Sequence, residues 1–319
     1  MLKIVFLTPH PSLAVRSVRR QHRIVGLSSY RDCDEAAGSR PDAWKTRLFR
    51  ACQQLRSRPG LQSWAAARDI PFHDYLCEDT KAFEVWLQAL QPDLLITCEA
   101  PVLPESVFTI PRLGTINIHY SLLPEYRGGS PLLWQVIDGS SEGGVSVHFI
   151  DAGIDTGPLI EQVMLPLPQG ASATRLGQLM EARAATALQR ALDKICTPGF
   201  QPREPGKGRT AFARNISQPS LVEFIDWNEW PIEKIWRVLR YIEYWPANHG
   251  IPAGWRQLCR WKVEGILRAK SRTPGGAPWS LQPVGHYLQL HCRQGSIRLS
   301  PRLHPPVLLK RTLAAIRPV

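Results

Sequence analysis

Asp93-Leu-Leu-Ile-Thr97 and, after a polar interval, Gly114-Thr-Ile-Asn-Ile-His119 are short apolar runs set between turn-forming residues. Runs of this kind read as strands buried on both faces. Working outward, residues 83–90 read as a helix, and both Lys3-Ile-Val-Phe-Leu7, closed by Thr8-Pro9, and Arg23-Ile-Val-Gly-Leu27 read as further strands. Strands alternating with helices predict an α/β fold with a mostly parallel, Rossmann-like sheet and helices on both faces. Gly144-Val-Ser-Val-His-Phe149 alternates: Val145, Val147 and Phe149 lie on one side, Ser146 and His148 on the other, which predicts a half-buried strand. Residues 174–195 carry Leu176, Leu179, Met180, Leu188, Leu192 and Ile195 at helical spacing, with Met180 as core. The Arg-rich stretch 28–68 has apolar residues at helical spacing only at Trp44, Leu48, Ala51 and Leu55, and we expect a helical excursion there.

A chain of 319 residues has room for two domains at ~150 residues each. Hydrophobic residues at 44% and charged residues at 21% exclude a fibre or an unfolded tail. Residues 1–202 balance 20 Lys+Arg against 20 Asp+Glu, whereas residues 203–319 hold 19 against 7, so the whole excess of +12 lies in the last third. That asymmetry predicts a basic domain facing a polyanion, nucleic acid first and an anionic membrane second, with a merely solubilising surface as the plain alternative. Pro198, Gly199, Pro202, Pro205, Gly206, Gly208 and Pro219 mark the boundary. The expected division is a first domain over 1–195, a linker over 196–220 and a basic C-terminal domain over 221–319. In the last of these, residues 231–244 read as a helix with Ile232, Ile235, Trp236, Leu239 and Ile242 inward, stopped by Pro246. Tyr287-Leu-Gln-Leu-His-Cys-Arg-Gln-Gly-Ser-Ile-Arg-Leu299 reads as a hairpin, and a small OB-like β-barrel is the expected closure.

Seven scattered cysteines without a CxxC pair (Cys33, Cys52, Cys77, Cys98, Cys196, Cys259, Cys292) read as reduced, mostly structural thiols. The apolar stretch at the start is too short for a signal peptide, and no window reaches the ~20 apolar residues of a membrane span. The expected setting is a reducing cytoplasm, with no membrane partner.

Polar residues concentrate after one strand, in Asn117-Ile-His-Tyr-Ser-Leu-Leu-Pro-Glu-Tyr-Arg-Gly-Gly-Ser-Pro131. Ligands of open α/β sheets bind beyond the carboxyl ends of strands. Asn117 and His119 are two apart, so both side chains leave one face, and an amide donor beside an imidazole suits a developing oxyanion. Asp151-Ala-Gly-Ile-Asp-Thr-Gly157 is a glycine-hinged loop whose Asp155 can return to that imidazole. His119 as a satisfied interior histidine, Asn117 as a strand-end cap and Asp155 as a turn former are the plain alternatives. Ser121 lacks the Gly-x-Ser-x-Gly elbow of a hydrolase nucleophile. His119 and His148 have no further ligands at recognisable spacing, so no metal is expected.

These blocks together, Gly114-x-x-Asn-x-His-x-Ser-Leu-Leu-Pro-x-Tyr-Arg-Gly128, Gly144-Val-x-Val-His148 and Asp151-x-Gly-x-Asp-Thr-Gly157, resemble the formyltransferases that use 10-formyltetrahydrofolate. Ile225-Asp-Trp227, the Trp236 to Arg240 segment and Tyr244-Trp-Pro-Ala247 resemble the start of the C-terminal domain in the methionyl-tRNA branch of that family. The resemblance implies a catalytic triad of Asn117, His119 and Asp155, with the folate co-substrate held around Ser121, Leu122, Leu123, Pro124, Cys98, Glu99, Leu103 and Asp151. It implies transfer of a formyl group to a primary amine, with Asn117 and a protonated His119 as oxyanion donors and Asp155 favouring the imidazolium. Arg127, Arg237, Arg260 and Lys262 are the expected contacts to the acceptor, taken as tRNA; Arg127-Gly-Gly129 as a simple bend is the alternative there. More widely, Lys234, Arg240, Arg256, Arg268, Lys270 and Arg272 add charge, while Trp236, Trp255 and Trp261 are expected as core. Where tRNA formyltransferases usually have Gly-Thr-Pro and Tyr-Gly, this sequence has Leu7-Thr-Pro-His10 and Cys98-Glu-Ala-Pro101. A nucleotide-linked amino sugar is therefore the alternative acceptor, and a non-catalytic RNA-binding relative the alternative of another class.

Overall fold

A computed structural model describes residues 1–19, 21–31, 60–76, 79–216, 220–246, 250–251, 256, 259–267, 279–293 and 295–302. The expected helical excursion around Trp44 to Leu55, as well as Cys33, Cys52, Cys77, Trp255, Arg268, Lys270 and Arg272, lies outside these residues.

The chain runs β1 (Lys3–Leu7), α1 (Leu13–Val18), β2 (Arg23–Arg31), α2 (Leu61–Ala66), β3 (Phe72–Leu76), α3 (Thr80–Leu90), β4 (Leu94–Cys98), α4 (Glu105–Phe108) and β5 (Thr115–His119). It continues through α5 (Pro131–Asp138), β6 (Glu142–Phe149), β7 (Leu159–Pro166), α6 (Ala173–Ile195), α7 (Leu221–Phe224) and α8 (Ile232–Tyr241). β8 (Arg260–Leu267), β9 (Trp279–Val284), β10 (Tyr287–Cys292) and β11 (Gly295–Arg302) follow. Contacts sort them into two compact units. The first is Met1–Pro131, Gly143–Leu165 and Gln178–Phe212; the second is Leu132–Glu142, Pro166–Gly177 and Ala213–Val319.

The first unit holds a seven-stranded sheet in the order β3-β2-β1-β4-β5-β6-β7. β3 to β5 are parallel and β6 is antiparallel to β5. This is the α/β class that the alternation predicts. The strand order reverses between β1 and β4, which puts a topological switch point beside the carboxyl end of β4. β4 is buried along its whole length and β1 along all but its first residue, as expected of strands covered on both faces. On one face Val5, Leu7 and Leu95 pack with Phe83 and Leu87 of α3 and with Leu103 and Val107. α3 is capped by the Asp79 carboxylate, which accepts from Ala82 N at 3.2 Å. Met180 is fully buried, as expected of core.

Three features differ from the sequence expectations. β2 runs on to Arg31 and pairs with β3, whose Phe-His-Asp-Tyr-Leu composition hides it, because Asp74 is satisfied by the Ser29 hydroxyl at 2.5 Å. β6 is not half-buried: Ser146 is 0% and His148 2% exposed. Its polar side chains are inside because each is hydrogen-bonded there; the Ser146 hydroxyl donates to Ser121 O (2.6 Å) and accepts from Leu123 N (3.0 Å) and Gln162 Nε2 (2.9 Å). Finally, residues 196–212, expected as the start of a linker, pack with the first unit. Arg203 pairs with Leu159 through both backbone bonds, at 2.7 and 2.8 Å.

The second unit is built on a four-stranded antiparallel sheet in the order β8-β11-β10-β9. β10 and β11 form the expected hairpin, with Leu288 opposite Leu299 and Leu290 opposite Ile297. Those side chains share a core with Trp261 and Val263 of β8, Ile235, Val238 and Leu239 of α8, and Leu133 and Ile137 of α5. Trp261 is completely buried and Trp236 packs against this core, as expected of structural rings. α8 stops at Tyr241, earlier than the periodicity suggests, and Glu243 then takes a left-handed conformation (φ 67°).

Phe83→Ala removes a fully buried ring that lies 4.8 Å from Tyr75 between centroids. It should lower stability by about 3–5 kcal/mol, read as a reduced urea midpoint of the first unit. An unchanged midpoint would show that the sheet does not depend on this core.

Candidate active site

Strand register assembles the site. Thr97 of β4 lies opposite Asn117 of β5, and Asn117 lies opposite His148 of β6, so three polar side chains form one row on one face of the sheet. His119 stands two residues beyond Asn117 on the same face, opposite Ser146. The Thr97 hydroxyl donates to Asn117 Oδ1 at 2.8 Å, which leaves the Asn117 Nδ2 group turned toward His148 Nε2 (3.3 Å) and Asp155 Oδ1 (3.4 Å). His148 Nδ1 is 2.8 Å from the Phe149 carbonyl, an obligate acceptor, so Nδ1 carries a proton, while Nε2 faces the Asn117 amide and Asp155 Oδ1.

Asp155 arrives from the loop after β6. Asp151 Oδ1 closes that loop by accepting from Gly153 N (3.0 Å) and the Thr156 hydroxyl (2.6 Å). At Gly157 a Cβ would collide with the Phe149 carbonyl, so glycine is needed for the return. Asp155 itself is left-handed (φ 52°), a conformation rare outside glycine and common at functional sites. Its Oδ2 accepts from Gly128 N at 2.9 Å and lies 3.5 Å from His119 Nδ1, while Oδ1 lies 3.5 Å from His148 Nε2. Burial pushes the carboxyl up; His148, the charge of His119 and the Gly128 N–H outweigh it and hold Asp155 at about 2.

His119 is 5% exposed. Its Nε2 lies 3.0 Å from the Tyr126 carbonyl and its Nδ1 faces Asp155, so both ring nitrogens meet acceptors. Burial draws its pKa below 6.5, against the opposing pull of Asp155 and the Tyr126 carbonyl. Desolvation thus works against the imidazolium, while Asp155 and the Tyr126 carbonyl work for it. Such a site combines an amide donor, an imidazole able to gain a proton and a fixed anion.

The other candidates separate. The Ser121 hydroxyl donates to Glu125 O at 2.6 Å, Leu122 lies over Gly144, Leu123 is buried, and Pro124 follows in the same loop. Cys98 alternates to the opposite face from Thr97, sits 3.6 Å from the Tyr120 hydroxyl, and has its thiol pushed up to about 12, mainly by burial. Leu103 belongs to the core packed on α3 rather than to the polar row. Glu99 is exposed overall and left-handed (φ 56°). Desolvation of its carboxyl pushes the pKa up, with His10 opposing and Glu181 adding. Arg127 donates to Gly206 O at 3.5 Å.

In the second unit Arg237 is committed internally: its Nε donates to Val136 O at 3.3 Å and its guanidinium occupies the space beside Gly139. Arg260 stacks on the Tyr244 ring at 3.8 Å, and Lys262 is half-buried on β8. Sequence reasoning missed Thr97, the Tyr126 carbonyl and Gly128 N, and weighed His148 only as a metal ligand. Its placement beside Ser146 in the alternating strand was the available signal. Among the described residues no cluster of His, Cys, Asp and Glu is arranged to hold a metal ion, and no helix is long and apolar enough to cross a membrane.

Residues 72–192 match the family described as formyl transferase. Over 241 residues, 75% of this chain and 72% of the relative, the sequence is 29% identical to a methionyl-tRNA formyltransferase of Pelobacter propionicus. Identity is 30% over 263 residues, 80% of this chain and 76% of the relative, with one from Roseiflexus castenholzii. The solved structure of WlaRD, a sugar 3N-formyl transferase with dTDP and 5-N-formyl-THF, shares the fold with a TM-score of 0.60 at 16% identity, covering 95% of this chain and 98% of that one.

The His119 resonances, followed by NMR as pH is varied, should titrate below 6.5, and Asp155→Asn should move the midpoint further down because an opposing anion is removed. A midpoint above 6.5, or an upward move in the variant, would contradict this electrostatic account.

Proposed function

The chain belongs to the formyltransferase family, and from that premise we propose that it transfers a formyl group from 10-formyltetrahydrofolate to the α-amine of methionyl-tRNA. The observation that carries the chemistry is the convergence of Asn117, His119 and Asp155 at the carboxyl end of β5. The acceptor rests on the activity named for the sequence relatives. The set suits a formamide group: an amide N–H for the carbonyl oxygen, and a buried imidazole with a carboxylate for the proton of the amine. When bound, the folate supplies the electrophilic formyl carbon and leaves, protonated, as tetrahydrofolate.

The residues of this chain divide the remaining work. Asn117 Nδ2, oriented by Thr97, donates to the formyl oxygen as it becomes negative. Asp155 and His119 together receive the proton of the attacking amine, hold the imidazolium formed between Asp155 at Nδ1 and the Tyr126 carbonyl at Nε2, and pass that proton on to the departing folate nitrogen as its bond to the formyl carbon breaks. Neither a serine nor a cysteine nucleophile takes part; the Ser121 hydroxyl is occupied and the Cys98 thiol is held protonated. The loop 121–124 with Asp151 lines the folate side. The first unit performs the transfer and the second, which carries most of the excess positive charge, meets the tRNA. Arg260 and Lys262 remain the acceptor contacts, while Arg237 serves the packing of its own unit.

Formyl transfer should be measured from 10-formyltetrahydrofolate to initiator methionyl-tRNA and, in parallel, to nucleotide-linked amino sugars. Transfer to tRNA that weakens as salt is raised supports the proposal; transfer to a sugar alone replaces the acceptor, and no transfer to any amine overturns the reaction. His119→Ala should abolish turnover and leave folate binding within about tenfold, and Asn117→Ala should lower kcat by about 10²–10³. Arg260→Glu with Lys262→Glu should raise KM for tRNA without changing transfer to a small amine; an unchanged KM would remove the second unit from acceptor docking.

A further inference from the structure

The stretch 203–210, expected from its Pro and Gly content to be linker, is a strap bonded to the loop that follows β5. Arg203 donates from its guanidinium to Gln162 Oε1 at 2.6 Å, and Gln162 Nε2 donates to Leu123 O at 2.8 Å. Gly208 lies so close to Pro124 that a Cβ there would be 2.5 Å from the Pro124 carbonyl oxygen. The Glu125 carboxylate accepts from Arg209 N at 3.0 Å and from Thr210 N at 2.8 Å. Burial pushes the Glu125 carboxyl up, yet these N–H groups outweigh it and hold it below the ordinary range. Tyr126 N donates to the Thr210 hydroxyl oxygen at 2.6 Å.

Tyr126 is where the strap meets the chemistry. Its backbone is left-handed (φ 57°), a conformation that a tyrosine holds only when its surroundings over-determine it. In that conformation its N–H points to Thr210 while its carbonyl accepts from His119 Nε2 at 3.0 Å. Two hydrogen bonds in series therefore connect a hydroxyl on the strap to the imidazole. We propose that Thr210 is a positioning residue for formyl transfer: it holds the peptide plane before the Tyr126 Cα and so helps fix the left-handed conformation of that residue, in which the carbonyl of the next plane holds the His119 proton on Nε2 and keeps Nδ1 facing Asp155. Glu125 supports it by pinning the backbone of Thr210. The role rests on the catalytic reading of His119.

Thr210→Val keeps the shape and removes the hydroxyl, and Thr210→Ser restores it. In the full chain, Thr210→Val should lower kcat by about tenfold or more with KM for both substrates nearly unchanged, and Thr210→Ser should recover most of the loss. Nitrogen-15 NMR of labelled histidine should show a smaller Nε2–H population at His119 in the Val variant and a parent-like one in the Ser variant. A Val variant with parental kcat, a loss that Ser does not recover, or an unchanged His119 tautomer would each overturn the assignment. His119→Ala measured alongside separates the two readings. If it is inactive while Thr210→Val is fully active, the strap has no positioning role and the transferase reading stands; if it is active, the transferase reading falls and the tautomer measurement alone decides Thr210.

Discussion

Asp155 is an anion whose side chain is only 12% exposed, and the arrangement around it follows from the need to satisfy that charge. Each carboxylate oxygen accepts one hydrogen bond and faces one imidazole: Oδ2 accepts from Gly128 N and faces His119, and Oδ1 accepts from Asn117 Nδ2 and faces His148. Charge-assisted bonds of this kind are stronger than neutral ones, and leaving a buried charge short of them is costly. The loop that brings Asp155 back therefore has little freedom, which accounts for the Asp151 closure and for glycine at 157. The same anion joins the chain after β5 to the chain after β6, strands that run in opposite directions and are also linked by their ladder and by the bonds of Ser146 to the loop after β5.

Local pattern is readable when it has a period. The buried runs of β1, β4 and β5 and the two-residue spacing of Asn117 and His119 follow from strand geometry, and the alternation of elements yields the sheet. What escaped depends on pairing between distant segments. β3 was missed because its polar residues are satisfied by β2, and β6 was misread as half-exposed because the partners of Ser146 come from the loop after β5 and from β7. Thr97 joins the site only through register with Asn117. The Tyr126 contribution is a carbonyl group, which every residue carries and which no side-chain pattern announces. The resting protonation of His119 depends on burial, a property of the folded molecule alone.

In the second unit the aromatic and basic residues are partners more than separate features. Lys234 lies over Trp230 at 4.2 Å, Arg298 over Tyr287 at 4.5 Å and Arg260 over Tyr244 at 3.8 Å. Trp236 donates from its indole nitrogen to Glu264 O at 2.6 Å, and Arg240 donates to Val263 O at 2.8 Å, so part of the positive charge is spent on holding α8 to β8. Net charge read along a sequence overstates what is open to a polyanion, because some cations are already fastened to carbonyls.

The first unit is discontinuous along the chain, and its last segment, which ends at Phe212, carries the Thr210 hydroxyl. During synthesis from the N-terminus, His119, Asn117 and Asp155 emerge well before that segment does. A nascent chain that has passed Asp155 holds Asn117, His119 and Asp155 and still lacks residues 209 and 210, which bond to the loop beside them. Completion of the arrangement is thus tied to the emergence of residues far beyond it in sequence, and a shortened chain that stops before 203 would present Asn117, His119 and Asp155 without the segment bonded to their loop.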